Sequence, residues 1–587
     1  MREMNVGEKH LNRLVFFSLL LTIVIPITIP TSGIPHATIS FTPTETNVLA
    51  LVNATEAHSY DMHLENIALS HPAFRAAGSV GANETADWIT SQFQNFGLQV
   101  TKEEFQFTCW DLRSKPTLII DDDGNPATTT DQTVIKSFQC EHYSWPTPSD
   151  GVFSDLVVLP LPPAADHTQI GATPIGTLWN NIDTTGKVVL VGREIRSDPS
   201  WHSAFNNKLR AQRPAAVIQT WWYSWMSFVP DFFSSTGGRP VQFNHYFWAL
   251  GTPAGFVNYD DGLLIRNREA SLNVSAKVAV DSVVKTGPQY NVVGKLIGYK
   301  EPDKSVIVCG HYDSVMCAGF CDNGAGAAGV IELAHVFTEA VNSGIYRPTY
   351  SILFIGLTSE ELGLVGSIEY VAKHKTEMRN IIAVINLDCI GSKDLEVTET
   401  QTDHGINLAQ IVLDAAADFG ITGRLISPGQ SDETPFLFPS DGDSILMNWW
   451  DTSLGISDAH PVGSSVMISS GPLFYQDLWN TGAAGWIHTS YDNSTSTTTL
   501  NWVEPQDFEA HIKVTTLAAL RVIPSYVLLT DLNKDGKVNI LDLFIVAIAF
   551  NTRPGDARWN VVADVNNDGV VDITDVWTIA RDFGKTP

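Results

Sequence analysis

The spacing of apolar residues changes along this chain, and the changes mark its parts. Residues 48–70 and, more cleanly, 85–96 (TADWITSQFQNF) return an apolar side chain every three to four positions, which predicts helices. Gly97 is placed to stop the second. Residues 98–107 (LQVTKEEFQF) alternate as a half-buried strand does, and 121–130, polar with Gly and Pro, predict a hairpin or loop. Between 140 and 283 the texture shifts toward Pro and aromatic residues. Within that stretch GKVVLVGR (186–193) predicts a buried strand, 208–220 a helix running into a strand, and 252–267 strand, turn and helix. From Asn291 the periods alternate. Strands are predicted at 292–296, 306–309, 350–356 and 381–387, with helices at 326–337, near 362–375 and at 508–522. Alternating strands and helices define an α/β unit, a mainly parallel sheet covered on both faces, with ligands at the carboxyl ends of its strands.

At 587 residues, 44% of them hydrophobic, the chain is globular and too long for one core; roughly three to four domains are expected. Lys9 and Arg13 precede an apolar run, 14–29, that ends in Pro30, Thr31, Ser32 and Gly33, so residues 1–33 read as an export signal and the product as secreted or extracellular. The run is long for a signal core and contains Pro26, which keeps an uncleaved, surface-attached anchor as the alternative. No other stretch reaches the ~20 apolar residues of a membrane span. A formal net charge of −28 argues against nucleic acid, since little here would neutralise phosphates. Six cysteines (109, 140, 309, 317, 321 and 389) in an exported chain allow disulfides. Cys109–Cys140 and Cys317–Cys321 are the pairs suggested by proximity in sequence. Sequons at Asn53, Asn83, Asn273 and Asn493 fit an exterior location.

The candidate chemistry begins in VIVCGHYDS (306–314). Alternation puts His311 and Asp313 on the same side at a strand's end, the arrangement of a metal-binding imidazole supported by a carboxylate. Further ligand types follow, nearly all where a strand ends. Asp322 lies in CDNGAG, Glu360 and Glu361 close SILFIGLTSEE, Asp388 closes IIAVINLD, and His488 lies in the polar WIHTSYD. Singly, each has an ordinary explanation: an Asp before Gly makes turns, and a Glu pair suits a helix N-terminus. Five in this order within one α/β unit are harder to dismiss. Two His and three carboxylates suit a pair of borderline-soft dications, zinc above all. One hydroxide would then balance the remaining charge, and water between two metals ionises near neutral pH instead of at about 15.7. One of the adjacent glutamates can ligate while the other stays free as general base.

HYDS, CDNGAG, SEELGLVGS, NLDCIGS and IHTSYD, in this order, resemble the dizinc aminopeptidase family, zinc exopeptidases of the aminopeptidase Y/S type. The resemblance implies a phosphorylase/hydrolase-like mixed sheet sandwiched by helices, built from residues 48–139 and 285–525. Residues 140–284, between them, resemble the β-rich protease-associated insert. Carried across, Asp322 would bridge two zinc ions. His311 and Asp388 would hold one of them, and Glu361 and His488 the other. Glu360 would be the base and Asp313 would orient His311. Family members hydrolyse peptide bonds, mostly releasing N-terminal residues. The chain departs from the pattern at Ile487, where relatives often carry a Tyr available to the oxyanion; zinc or a neighbour such as Tyr491 would then have to serve. SDETPF (431–436) is similar to a family segment near the cleft and receives no role.

The C-terminal tail repeats itself. DLNKDGKVNILDL (531–543) and DVNNDGVVDITDV (564–576) place oxygen ligands at loop positions 1, 3, 5, 7, 9 and 12, with Gly at position 6. That is the EF-hand calcium-loop spacing. The first loop would use Asp531, Asn533, Asp535, the Lys537 carbonyl, Asn539 and Asp542. The second would use Asp564, Asn566, Asp568, the Val570 carbonyl, Asp572 and Asp575. Paired loops ending in Asp, each followed by a helix, resemble a dockerin, here residues 527–587, which implies a small helical module, two calcium ions and a cohesin-type scaffold as partner. Clustered carboxylates repel, so calcium is expected to be needed for folding.

Four readings stand at this point, the fourth taking the tail as the principal function with the enzyme as its cargo. The first is a secreted dizinc metallopeptidase, an aminopeptidase acting on peptides and tethered by a dockerin. The second is a single-zinc, glutaminyl-cyclase-like transferase. The third is an inactive, receptor-like binding protein.

Overall fold

A computed structural model describes residues 41–162, 178–194, 199–222, 251–272, 274–391, 394–400, 405–429, 431–450, 452–471, 492–495, 503–526, 529–533, 536–566 and 568–585. The export-signal segment, Asn273, Ile487, His488, Tyr491 and Asp535 lie outside them. Among the described residues no helix is long and apolar enough to cross a membrane.

In chain order the strands are β1 (Gln99–Leu112), β2 (Thr117–Asp121), β3 (Gln132–Val134), β4 (Gln139–Cys140), β5 (Val152–Leu159), β6 (Val188–Gly192), β7 (Ala216–Thr220) and β8 (Ala254–Phe256). They continue as β9 (Ser275–Ala279), β10 (Ser282–Leu296), β11 (Glu301–His311), β12 (Tyr350–Leu357), β13 (Ile381–Leu387), β14 (Asp394–Thr398), β15 (Gly423–Ile426) and β16 (Ser465–Gly471). The helices that matter to the site are α1 (Ala54–Ser70), α2 (Val80–Phe96), α3 (Gly326–Asn342), α4 (Val365–Lys373) and α5 (Pro505–Val522).

Two sheets result. The first runs β1-β10-β12-β11-β13-β16-β14-β15, and its centre, β12-β11-β13-β16, is parallel. Those central strands read as unbroken apolar runs because they are covered on both faces. The second runs β3-β2-β9-β5-β6-β7-β8-β4. Its first two strands lie before residue 140, so 117–139, which sequence texture groups with the first unit, pair with the second sheet. The long β1–β10 ribbon pairs Gln99 with Lys295 at one end and Leu112 with Ser282 at the other. One apolar cluster, including Trp110, Leu118, Ile307 and Leu357, continues through both sheets.

Local chemistry sets the helix ends. Asn53 caps α1 by accepting from Thr55 and Glu56 N–H, and Ser79 caps α2 by accepting from Ala82 N–H. Because of the Ser79 cap, α2 begins at Val80, a turn before its strong apolar period. Gly97 ends it at φ 88°.

The two cysteine pairings suggested by sequence proximity do not form: all six thiols are free and buried. Cys109 faces β10, its Sγ donating to the Pro288 carbonyl at 3.6 Å, while Cys140 sits on the far edge strand of the other sheet. Cys321 instead shares a side-chain hydrogen bond with the free thiol of Cys389.

Candidate metal centre

Parallel pairing brings the ends of three central strands to one edge: His311 is opposite Leu357, and Cys309 opposite Asn386. His311 is the last residue of β11, Glu360 lies three residues past β12, and Asp388 one past β13. His311 Nε2 stands 3.4 Å from Asp322 Oδ1, 3.6 Å from Asp388 Oδ1 and 3.9 Å from Glu360 Oε2. Ligand atoms of His311, Asp322 and Asp388 all lie within 4.8 Å of one another. Glu361, buried beside Glu360, is outside that group.

Asp313 works in two directions. Its backbone carbonyl is 3.1 Å from His311 Nδ1 and its carboxylate 3.6 Å from the same nitrogen. The carboxylate also accepts from the backbone N–H groups of Glu360 and Glu361, at 3.2 and 3.4 Å. One buried side chain therefore orients the imidazole region and the glutamate pair together. Ser359, just before that pair, has φ 63°, and Cys389, just after Asp388, has φ 56°. Both are left-handed conformations that cost a non-glycine residue energy and collect at functional sites.

Four residues without an assigned role in the sequence hold this arrangement. Asn323 donates to the Leu387 carbonyl at 2.8 Å and accepts from Cys389 N–H at 3.1 Å, tying the Asp322 turn to the end of β13. That contact requires glycine at the start of α3, since a Cβ on Gly326 would lie 2.3 Å from the Leu387 carbonyl oxygen. Asp492 accepts from Cys321 and Asp322 N–H at 2.5 and 3.1 Å. Arg75, fully buried, donates to the carbonyls of Leu64, Tyr312, Ala318 and Gly319. Asp432, fixed by Ser367 at 2.5 Å, completes the floor. Asp492 and Asp432 fall inside IHTSYD and SDETPF, so the motifs pointed to them. Arg75 carries no such signal.

The site holds more negative charge than a buried pocket tolerates. Burial pushes Glu360 well above the ordinary carboxylate range; His311 pulls it down, and Glu361, Asp388 and Asp432 add to the rise. Burial likewise pushes Asp432 and Asp492 up to about 7. Burial alone would lower His311, but Glu360, Asp313, Asp322 and Asp388 outweigh it and hold it well above its usual value. His311 Nε2 and Asp388 Oδ1 are buried with no hydrogen-bond partner. Orphaned donors converging among surplus carboxylates fit a bound dication.

In the tail, the loops close on themselves. Gly536 and Gly569 have φ 86° and 85°, and their N–H groups donate to Asp531 and Asp564 at 2.8 and 2.9 Å. Asp542 accepts from Asn533 and Asn539 N–H, and Asp575 from Val565, Asn566 and Asp572 N–H. Asn539 and Asp572 each cap the helix that follows, Ile540–Ala549 and Ile573–Asp582. Asp568 N–H also bonds Asp564.

A mixed α/β sheet with a His–carboxylate cluster at the ends of its parallel strands defines the zinc-exopeptidase class of fold. Residues 291–509 match the model of Peptidase family M28, and residues 529–583 match the Dockerin type I domain. An aminopeptidase from Pseudomonas aeruginosa is 25% identical over 364 residues, 61% of this chain and 60% of that protein. A glutamate carboxypeptidase 2 homolog from Caenorhabditis briggsae is 32% identical over 141 residues, 24% of this chain and 18% of that protein. The chain thus spans less than two thirds of these curated relatives. Among solved structures, a zinc aminopeptidase from Bacillus subtilis superposes with TM-score 0.54 at 21% identity, covering 81% of this chain and 96% of that one. An aminopeptidase from Aneurinibacillus sp. gives 0.51 at 21% identity, covering 82% and 97%. These superpositions show a shared fold.

Proposed function

We propose that this chain is a secreted dinuclear-zinc aminopeptidase tethered through a calcium-dependent dockerin. The observation that carries the reading is the convergence of His311, Asp322 and Asp388 with Glu360 beside them at the carboxyl ends of the parallel strands. His311, Asp322 and Asp388 would hold one zinc, and Asp322, Glu361 and His488 the other. When bound, the pair supplies Lewis acidity toward the scissile carbonyl and the attacking water. Glu360 takes a proton from that water and returns it to the leaving amine, a task suited to a carboxylate that burial pushes above the ordinary carboxylate range. Asp313 holds the base and His311 in register. The aminopeptidase relatives support amino-terminal cleavage. Residues 140–284 would be a protease-associated insert, and the two acidic loops would bind two calcium ions and dock on a cohesin-type scaffold.

Release of chromogenic amine from free, but not N-acetylated, aminoacyl substrates, abolished by chelation and restored by zinc, is the expected result. Glu360→Gln should lower kcat by about 10²–10⁴ while retaining bound metal; a fully active, metal-replete variant would overturn the assignment. A second reading, a single-zinc transferase, is favoured by one observation: the tight group of ligand atoms among the described residues is a one-ion set. Metal stoichiometry of the active protein separates the two.

A further inference from the structure

Away from the strand ends, on the helical layer, two glutamates and a histidine meet. Glu332 and His335 lie three residues apart on α3 and so share a face. Glu56 comes from the first turn of α1. His335 Nδ1 is 3.7 Å from Glu56 Oε2 and 3.9 Å from Glu332 Oε2. We propose that Glu56, Glu332 and His335 form a structural divalent-metal site, zinc being the ion that best suits the donors, which staples α1 to α3.

The distances are the first argument. Both exceed a hydrogen bond, and a protonated imidazole would close on one carboxylate instead of standing between two. Ligands of one tetrahedral ion, with bonds of about 2.0–2.1 Å, stand roughly 3.3–3.4 Å apart. The strand-end cluster shows separations of 3.4 and 3.6 Å, so the second cluster is close to the same scale. The second argument is the state of Glu332. It is fully buried, and its Oε2 has no hydrogen-bond partner; the same holds for His335 Nδ1.

The groups around the cluster are arranged as supports for ligands. Glu332 Oε1 accepts from Asn53 N–H at 2.7 Å and Glu56 Oε1 from the Tyr60 hydroxyl at 2.9 Å, while the two Oε2 atoms face the imidazole, that of Glu56 also accepting a long bond from Asn53 Nδ2 at 3.5 Å. Phe96 stacks on the His335 ring, centroids 4.9 Å apart, and fixes its plane. Two carboxylates neutralise a dication, and one imidazole makes the set borderline rather than hard, favouring zinc over calcium or magnesium. Glu56 and His335 are about one-third exposed, so an ion can enter from solvent and keep water in its remaining position. Since α3 starts directly after the Asp322 turn, the staple would brace the helix that carries that turn.

The test compares zinc bound per chain, after loading and dialysis, in the full-length parent and in His335→Asn and Glu332→Gln. Each variant is expected to hold one zinc fewer than the parent, with kcat unchanged, while Glu360→Gln keeps that ion. Anomalous scattering at the zinc edge from parent crystals, which needs no variant, should show a peak among the three side chains. Equal zinc counts in parent and variants, or no peak there, would overturn the proposal.

Discussion

The strand-end centre and the tail loops are both clusters of acidic residues, built in opposite ways. Each tail loop draws its ligand set from twelve consecutive residues, and its own glycine and position-12 aspartate close it. The strand-end centre spans His311 to Asp388 and is completed by Arg75 and Asp492, hundreds of residues apart. A local site needs only its loop and its ion. A topological site exists only once the sheet has formed. The two should therefore fail independently and for different reasons.

The largest expected effect isolates the centre. Asp322→Ala removes the carboxylate assigned to both zinc ions, so activity should fall below detection and zinc content should drop. The tail should still take up calcium, which isothermal titration would show. Loss of calcium binding in that variant would mean that the two regions are not independent. Chelation selective for calcium gives the reverse experiment. The tail helices should melt, because the uncompensated carboxylates of each loop repel, and far-ultraviolet circular dichroism would record the loss. Aminopeptidase turnover should persist.

Next comes Arg75→Met. Three of the side chain's four bonds to backbone carbonyls hold the 312–319 stretch, and the fourth reaches Leu64. Met cannot donate, and each buried carbonyl left without its donor costs about 1–3 kcal/mol. The denaturant midpoint of the peptidase unit should fall accordingly, while the calcium-dependent transition of the tail stays where it was.

Legibility follows the same division. The tail loops show in the sequence as spacing alone, because spacing along the chain is their geometry. At the centre the residues that the fold brings together were legible for a weaker reason: His311 and Asp388 sit at the ends of apolar runs, where a parallel sheet gathers side chains. Their supports were not. Arg75 meets Gly319 across 244 positions, and nothing in the sequence around it differs from any surface arginine. Asp432 and Asp492 stood inside recognised segments, but what they touch depends on how Ser367 and the Asp322 turn approach them. The start of the second sheet was missed because β2 and β3 are short, and their partner β9 lies far along the chain.

The smallest effect tests the contrast within a single residue. His374 has one local acidic partner, Glu377, at 3.1 Å from Nδ1, and one distant partner, Glu103 on β1, at 3.1 Å from Nε2. Glu377 is well exposed, so Glu377→Gln should cost less than about 1 kcal/mol. Glu103 is buried and also takes Lys373, so Glu103→Gln should cost roughly 1.5–3 kcal/mol by denaturant titration. The pH dependence has a definite sign. Burial alone would lower His374, but Glu103 and Glu377 raise it above its usual 6.5. Its contribution is therefore complete below pH 6.5 and is lost as pH rises through the higher folded value. Burial would raise Glu103, but His374 and Lys373 bring it below its usual 4.5, so its contribution is complete above 4.5 and is lost as pH falls through the lower folded value. The penalty of Glu103→Gln should peak between pH 4.5 and 6.5 and shrink on either side. A penalty that stays the same as pH is taken well below 4.5 or well above 6.5, or an equal one for Glu377→Gln, would show that the long-range partner adds nothing the local one does not.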